Sequence, residues 1–309
     1  MARNVIAEVP LPAPAFSLTR RRLDEALLQR AKLAGVNIHS CGYAVEELSP
    51  QTGCEASGRW RARIRDTTQV STVVEGSEAF LATGRHDLRG WQRSAEGSQN
   101  TLVALKMYFT LSPDQHAKLA GHVELILYPG GYAGLQPVED GAVNLCALIT
   151  RQKLHSFTSH WDSLLNHMQH HSPHFAQRSS GATPMLERPL ALSSIPYGYL
   201  ASVSLHEPSP WKLGDQTAVI PSFCGEGMAI ALHTAHRAAE LDLDGSSPIV
   251  FHNEIRRQFE RRLQFATLLS RLIIAVPSLA QAVRLWPSVL TDIFTATGIS
   301  RNGVEAVRC

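Results

Sequence analysis

A chain of 309 residues, 44% hydrophobic and 18% charged, is long enough to bury one large core or two ordinary ones and too apolar to be disordered. Its formal charge of +2 gives no electrostatic basis for nucleic-acid binding, because the arginine clusters (Arg20 to Arg22, Arg59 to Arg65, Arg256-Arg257, Arg261-Arg262) are interspersed with acidic residues. Five cysteines without a CxxC pair suit a reducing cytoplasm, the start MARNVIAEVPLP lacks the apolar core of a secretion signal, and no run reaches the roughly 18 uncharged apolar residues of a spanning helix.

Pro10, Pro12 and Pro14 keep residues 1–16 extended. Thr19 is positioned to cap a helix from Arg20 to Ala34, with Leu23, Leu27, Leu28 and Ala31 at helical spacing and Gly35 as its stop. Val36 to His39 reads as a strand. A strand, a turn and a strand follow between Tyr43 and Asp66, with Gln51 to Gly58 as a polar hairpin tip, and Ala79 to Thr83 reads as a strand ending at Gly84.

From residue 101 the pattern changes. Thr101 to Leu111, His122 to Tyr128, Tyr132 to Pro137 and Ala142 to Thr150 run apolar or alternate over strand lengths, with Gly130-Gly131 and Asp140-Gly141 as turns. Successive strands without long helices predict an antiparallel sheet. Residues 155–180 read as helical and hold His160, His167, His170, His171 and His174. The last four have the spacing of a shared face, but no HExxH pattern joins them, and Pro173 breaks the helix before His174. A solvated histidine face is therefore expected, with no metal. Residues 183–206 return to strands, bent at Ile195 to Gly198.

Trp211 to Glu240 carries the densest chemistry: WKLGDQTAVIPSFCGEGMAIALHTAHRAAE. A short apolar approach ends in a Gly214-Asp215 turn. Pro221 stiffens the loop that follows, Gly225 and Gly227 let backbone approach a flat ligand, and an Ala-rich helix starts near Met228. Asp215 can accept hydrogen bonds from hydroxyls, and the helix start can stabilise negative charge. Ala231, Ala235 and Ala238 fall near one face and permit close packing. Spacing alone fits a ligand loop and a buried strand-turn-helix equally. Beyond Glu240 come a linker (Asp242 to Pro248), an arginine-rich amphipathic helix from Pro248 to Ala275, and a terminal helical pair after Pro277.

The GD…P…G-x-G stretch and the following small-residue helix resemble the second flavin-binding motif of FAD-dependent oxidoreductases built like p-hydroxybenzoate hydroxylase, a group that includes the geranylgeranyl reductases. SLTRRRLDEALLQRAKLAGVNI is similar to the family's re-entry element. The resemblance implies FAD as cofactor. It assigns Arg20 and Val45 to FAD (Val45 at the adenine end), Asp215 to the ribityl chain, and Pro221, Gly225, Glu226, Gly227 and Met228 to the loop and helix start facing the flavin ring. Without it, Arg20 reads as a solvated arginine at a helix start. LATGRHDLRG stands where monooxygenases carry Ala-Asp-Gly-x-x-Ser-x-x-Arg, with Thr83 for the aspartate, Asp87 for the serine and Arg89 one place early. That departure argues against an NADPH-dependent hydroxylase of the usual kind, although NAD(P)H stays the electron donor the family offers. In the family the antiparallel sheet floors the substrate pocket, which makes Tyr128, Tyr132 and Tyr199 candidates, while packing is the commoner role of such residues.

No GxGxxG occurs in the 309 residues; Gly225 and Gly227 alone have GxG spacing, and Ile230 follows. Three explanations fit: a shortened chain, a degenerate protein, or a partner chain supplying the first βαβ unit. Survival of Arg20, Asp215 and the Gly225 loop favours the first, and with it weak or no FAD binding by this chain alone.

The fold expected is therefore mixed α/β, with an incomplete Rossmann-like FAD-binding domain. FAD-binding segments span 1–90 and 206–245, an antiparallel-sheet substrate domain spans 91–205, and C-terminal helices span 246–309. The function expected is FAD-dependent dehydrogenation, double-bond reduction or hydroxylation of a hydrophobic small molecule, with no catalytic acid or base named. The missing WxWxIP motif disfavours halogenation. The alternative is a degenerate homologue acting as a non-catalytic binding module. Peripheral membrane contact through the C-terminal helices is the further partner expected, and the location is cytoplasmic.

Overall fold

The computed structural model describes residues 7–11, 15–39, 42–51, 60–94, 96, 98–158, 160–202 and 207–276. In chain order the elements are α1 (Arg20–Leu33), β1 (Ala44–Pro50), β2 (Trp60–Arg65), β3 (Ser71–Gly76), β4 (Phe80–Leu81) and β5 (Leu102–Thr110). Then come α2 (Pro113–Leu119), β6 (Glu124–Tyr128), β7 (Gly131–Pro137), β8 (Val143–Thr150), α3 (Arg151–His155), α4 (His160–His171) and α5 (Pro173–Arg178). Strands β9 (Thr183–Pro184), β10 (Leu190–Ser193) and β11 (Trp211–Lys212) precede α6 (Gly227–Leu243) and α7 (Pro248–Ala275). The expected mixed α/β class holds.

Two compact units divide the chain. The first takes residues 1–30, 99–195 and 267–297; the second takes 31–98, 196–266 and 298–309.

The first unit is built on a six-stranded antiparallel sheet in the order β10-β5-β8-β7-β6, with β9 also on β5. Alternation decides which side is buried. Met107, Phe109, Leu145 and Leu135 point to the face that packs with Leu164 and Met168 of α4 and Phe175 of α5. At Gly131 the sheet leaves no space for a side chain: an added Cβ would stand 2.0 Å from the carbonyl oxygen of Leu148. Tyr128 and Tyr132 are core residues, and the Tyr128 hydroxyl donates to the Leu148 carbonyl at 2.8 Å. Burial pushes that phenol well above its ordinary pKa. The opposite face carries the cross-strand rows Lys106–Cys146–Gly134 and Tyr108–Asn144–Gln136.

Residues 155–180 are not one helix. Ser172 caps α5 by accepting from the Phe175 N–H, and Pro173 occupies its first turn, so the chain restarts rather than continues. His167 bonds the Pro129 carbonyl at 2.9 Å, His171 the carbonyl of His167, and His174 the Glu124 carboxylate. Burial lowers the pKa of His167. Among the described residues no group of three side chains could hold a metal ion.

The second unit holds an antiparallel meander, β1-β2-β3, and a parallel pair, β4-β11. Its core joins Trp211, Ile220 and Cys224 to Ile230, Ala238 and Leu241 of α6 and to Phe251, Ile255 and Phe259 of α7. Val36 to His39, expected as a strand, joins no strand ladder among the described residues, and Val36 is exposed. A single extended segment has no ladder to complete, so periodicity alone over-read it. The hairpin tip 52–59 and the terminal helical pair lie outside the described residues. None of the described helices is long and apolar enough to cross a membrane.

Candidate functional site

The site is built where the two parallel strands end. Phe80 pairs with Trp211 and Leu81 with Lys212, and the Phe80 and Trp211 rings stack at 5.7 Å. Trp211 is fully buried, with its Nε1 donating to Glu78 at 2.8 Å. Because the strands are parallel, the loops after them leave from the same edge, which is where open α/β sheets bind ligands. Both loops turn on glycines with positive φ: Gly84 at 61° and Gly214 at 55°.

Two buried side chains weld these loops together. Gln216, fully buried, donates from Nε2 to the carbonyls of Gly84 (2.8 Å) and His86 (3.2 Å). Arg93 holds the Asp87 carboxylate at 2.7 Å, the Arg85 carbonyl at 2.7 Å and the Asp215 carbonyl at 3.1 Å. The arginine that closes the Gly84 loop is thus Arg93, four residues beyond Arg89. Thr83 spends its hydroxyl on the His86 carbonyl at 2.5 Å. Burial raises the Tyr199 phenol pKa, with the Arg93 charge opposing the shift.

The Asp215 backbone is therefore fixed while its carboxylate stays 30% exposed, with Arg85 at 4.0 Å. Gly214 donates its N–H to the buried Thr234 hydroxyl at 2.9 Å, which seats the turn against α6. An added Cβ at Gly214 would stand 3.3 Å from that of Ala231. The face α6 buries runs through Ile230, Thr234, Ala238 and Leu241, so Ala231 flanks it and Ala235 is exposed, unlike the expected alanine face.

After Pro221, a 3-10 turn at Ser222–Cys224 ends on Gly225 with φ of 72°. Helix α6 then begins at Gly227 with Glu226 as N-cap and no side-chain cap. Its first N–H groups have no intrahelical acceptor. Positions Gly225 and Gly227 face open space, with no atom within 4 Å of an added Cβ. Met228 is half-buried. Asp215, Pro221, Gly225, Glu226, Gly227 and Met228 thus lie in one stretch of the second unit. Val45 lies in the same unit on β1, 47% exposed and paired with Ile64. Arg20 belongs to the first unit, its guanidinium on Asp24 at 3.0 Å.

Sequence reasoning missed Arg93 and Gln216. Gln216 adjoins the GD turn and was readable as part of it; Arg93 carries no spacing signal. It also missed His252, which is buried beneath β11 with its Nε2 3.4 Å from the Lys212 N–H and the Pro210 carbonyl. Burial pushes the His252 ring down to about 4 and lowers Lys212.

No family model matches the sequence, and no curated protein matches it. Solved structures do. A flavoprotein/dehydrogenase from Cytophaga hutchinsonii is 14% identical with a TM-score of 0.67, covering 93% of this chain and 71% of that one. The flavin-dependent brominase Bmp2 is 15% identical with a TM-score of 0.67, covering 94% and 72%. The myxobacterial chondrochloren halogenase CndH, a FAD-dependent halogenase, is 18% identical with a TM-score of 0.62, covering 94% and 73%. At these identities the likeness shows the fold, which is that of FAD-binding flavoproteins.

Proposed function

We propose that the chain is a FAD-dependent oxidoreductase acting on a hydrophobic small molecule. The observation that carries this reading is the convergence of the Gly84 and Gly214-Asp215 loops at one edge of the β4-β11 pair, immediately before the uncapped start of α6. The residues present fit the ring and ribityl end of the cofactor. The carboxylate is partly exposed on a fixed backbone, the glycines leave open space, and the helix start has no side-chain cap. The fold likeness to flavoproteins supports the same reading.

Bound flavin supplies hydride exchange through its reactive nitrogen, or oxygen activation. Around it the chain's own groups bind and orient. Asp215 would accept hydrogen bonds from ribityl hydroxyls, and the N-terminus of α6 would stabilise negative charge on the ring. Pro221, Gly225, Glu226, Gly227 and Met228 would shape the loop against it. Arg93 and Gln216 position these groups without reaching the ligand. Val45 would serve the adenine side, and no residue here is assigned to the pyrophosphate. Thr83 in place of an aspartate favours dehydrogenation or double-bond reduction over hydroxylation. Halogenation is not proposed, because WxWxIP is absent. NAD(P)H would be the electron donor.

Titration of the purified chain with FAD and with FMN, followed by flavin fluorescence, tests this. Both should bind, since Asp215, the Gly225 loop and the start of α6 address the part they share. Asp215→Ala should weaken both about tenfold, the loss of a hydrogen bond to a charged acceptor. No effect of the substitution on flavin binding contradicts the assignment.

A further inference from the structure

Lys212, the last residue of β11, carries a charge that its surroundings do not match. Alternation along the strand sends Trp211 into the core of the second unit and Lys212 to the opposite side. There its Nζ stands 5.7 Å from the centroid of the Trp91 ring, and Trp91 in turn lies against Trp60. The side chain is half-buried, burial lowers its pKa, and among the described residues no carboxylate pairs with it. Other cations of this region are matched: Arg93 has the Asp87 carboxylate at 2.7 Å, and Arg85 has that of Asp215 at 4.0 Å. An indole face attracts an ammonium but does not replace the hydration that burial removes. A lysine kept for its apolar stem alone would carry its charge out to water.

Position says which anion the site takes. Lys212 precedes Asp215 by three residues, and its carbonyl accepts from the Thr217 hydroxyl, which folds the Gly214-Asp215 turn back onto the strand. Trp91 is tied to the same turn from the other side, because Arg93, two residues on, donates to the Asp215 carbonyl at 3.1 Å. The ammonium and its indole seat thus belong to the strand and the loop that fix Asp215. In FAD, as in FMN, the ribityl chain runs directly into a phosphate. An uncompensated ammonium next to the ribityl acceptor complements that charge.

We propose that Lys212, seated on the Trp91 ring, binds the phosphate that follows the ribityl chain, which in FAD belongs to the pyrophosphate. The identity of the ligand rests on the flavin reading of Asp215; the anion site does not.

Calorimetric titration of the full chain with inorganic pyrophosphate, and separately with riboflavin, which has no phosphate, tests this. Pyrophosphate should bind saturably, and Lys212→Met should weaken it roughly tenfold, the loss of one charge-assisted hydrogen bond. Lys212→Arg should keep most of the affinity, and riboflavin should bind both variants as it binds the wild type. Asp215→Ala should do the reverse, weakening riboflavin and sparing pyrophosphate. Because Lys212→Met removes an unmatched charge, its urea unfolding midpoint should hold or rise. Pyrophosphate affinity indifferent to Lys212→Met, or no pyrophosphate binding, overturns the proposal and leaves the flavin assignment to stand on riboflavin. A lowered midpoint also overturns it, since the lysine would then be a structural residue. Riboflavin indifferent to Asp215→Ala, with pyrophosphate still weakened by Lys212→Met, removes the flavin reading and keeps the anion site.

Discussion

The Arg93 guanidinium donates to the carbonyl oxygen of Asp215 at 3.1 Å, across a sequence separation of 122 residues, while its Nε holds the Asp87 carboxylate at 2.7 Å. The side chain of Arg93 is only 5% exposed, and three acceptors share it. Replacing it with methionine keeps the apolar stem, takes this donor from the carbonyls of Arg85 and Asp215, and leaves the Asp87 carboxylate with the weaker Gln216 contact at 3.4 Å. Arg93→Met should cost about 2 kcal/mol in urea unfolding, and Arg93→Lys should recover only part, because an ammonium cannot span the three acceptors. Flavin affinity should fall in both, although neither side chain is proposed to touch the ligand. Unchanged affinity with lowered stability would make Arg93 a purely structural residue.

Two glycines with the same backbone problem differ in surroundings. Gly214 and Gly225 both have positive φ, so alanine at either costs about 1 kcal/mol of strain. At Gly214 the new Cβ also meets Ala231 at 3.3 Å; at Gly225 it meets nothing. Gly214→Ala should therefore destabilise by about 2 kcal/mol and Gly225→Ala by about 1 kcal/mol, measured by denaturant midpoints at constant m-value. If the Gly225 loop approaches a ligand, the order should reverse for flavin binding, with Gly225→Ala the more harmful.

Those loops also show where sequence legibility stopped. Helix α1 ended at Leu33 with Gly35 at φ of 85°, and the strands of the large sheet fell where apolar alternation placed them, because each is governed by neighbours a few residues away. Helix α2 was missed: seven residues give too little periodicity, even though Ser112-Pro113 is a start signature. Strand β3 was missed too, since all six of its residues are exposed and no buried face imprints a pattern on STVVEG. In the site, the Gly214-Asp215 turn and the Gly225 loop were local and readable. The joining of the two loops by Arg93 and Gln216 arises from contacts 122 to 132 residues apart. No spacing rule reaches that far.

In the first unit Arg178 performs a similar task around a buried acid. It reaches Glu124 through Nε at 3.0 Å and through Nη2 at 2.5 Å, and the Gln115 side chain through Nη1 at 3.0 Å; His174 sits on the same carboxylate oxygen at 3.0 Å. The other oxygen, Oε2, is buried without a partner. Arg178→Met should destabilise by about 3 kcal/mol, because it strands a carboxylate that burial has already under-served. Adding Glu124→Gln should restore part of that loss. A double-mutant cycle with additive effects would show that the pair is not coupled.

His252 makes stability depend on pH in a direction fixed by its burial. The ring is 4% exposed and its pKa is pushed down from 6.5 to about 4, by burial first and by the nearby Lys212 charge last, while its bond to the Pro210 carbonyl opposes the shift. Above pH 6.5 the ring is neutral in folded and unfolded chains alike, so its contribution is complete there. As pH falls from 6.5 towards 4, the unfolded chain takes up a proton that the folded chain refuses, and stability drains away. The full shift is worth about 3 kcal/mol. Urea unfolding of wild type and His252→Gln at pH 7.5, 6, 5 and 4.5 separates this from the titration of carboxylates, which both proteins share. Wild type should lose its advantage over the variant progressively below pH 6.5. A wild-type-minus-variant difference that stays flat across this range would show that the ring titrates equally in both states, and that its surroundings beneath β11 are wetter than their packing indicates.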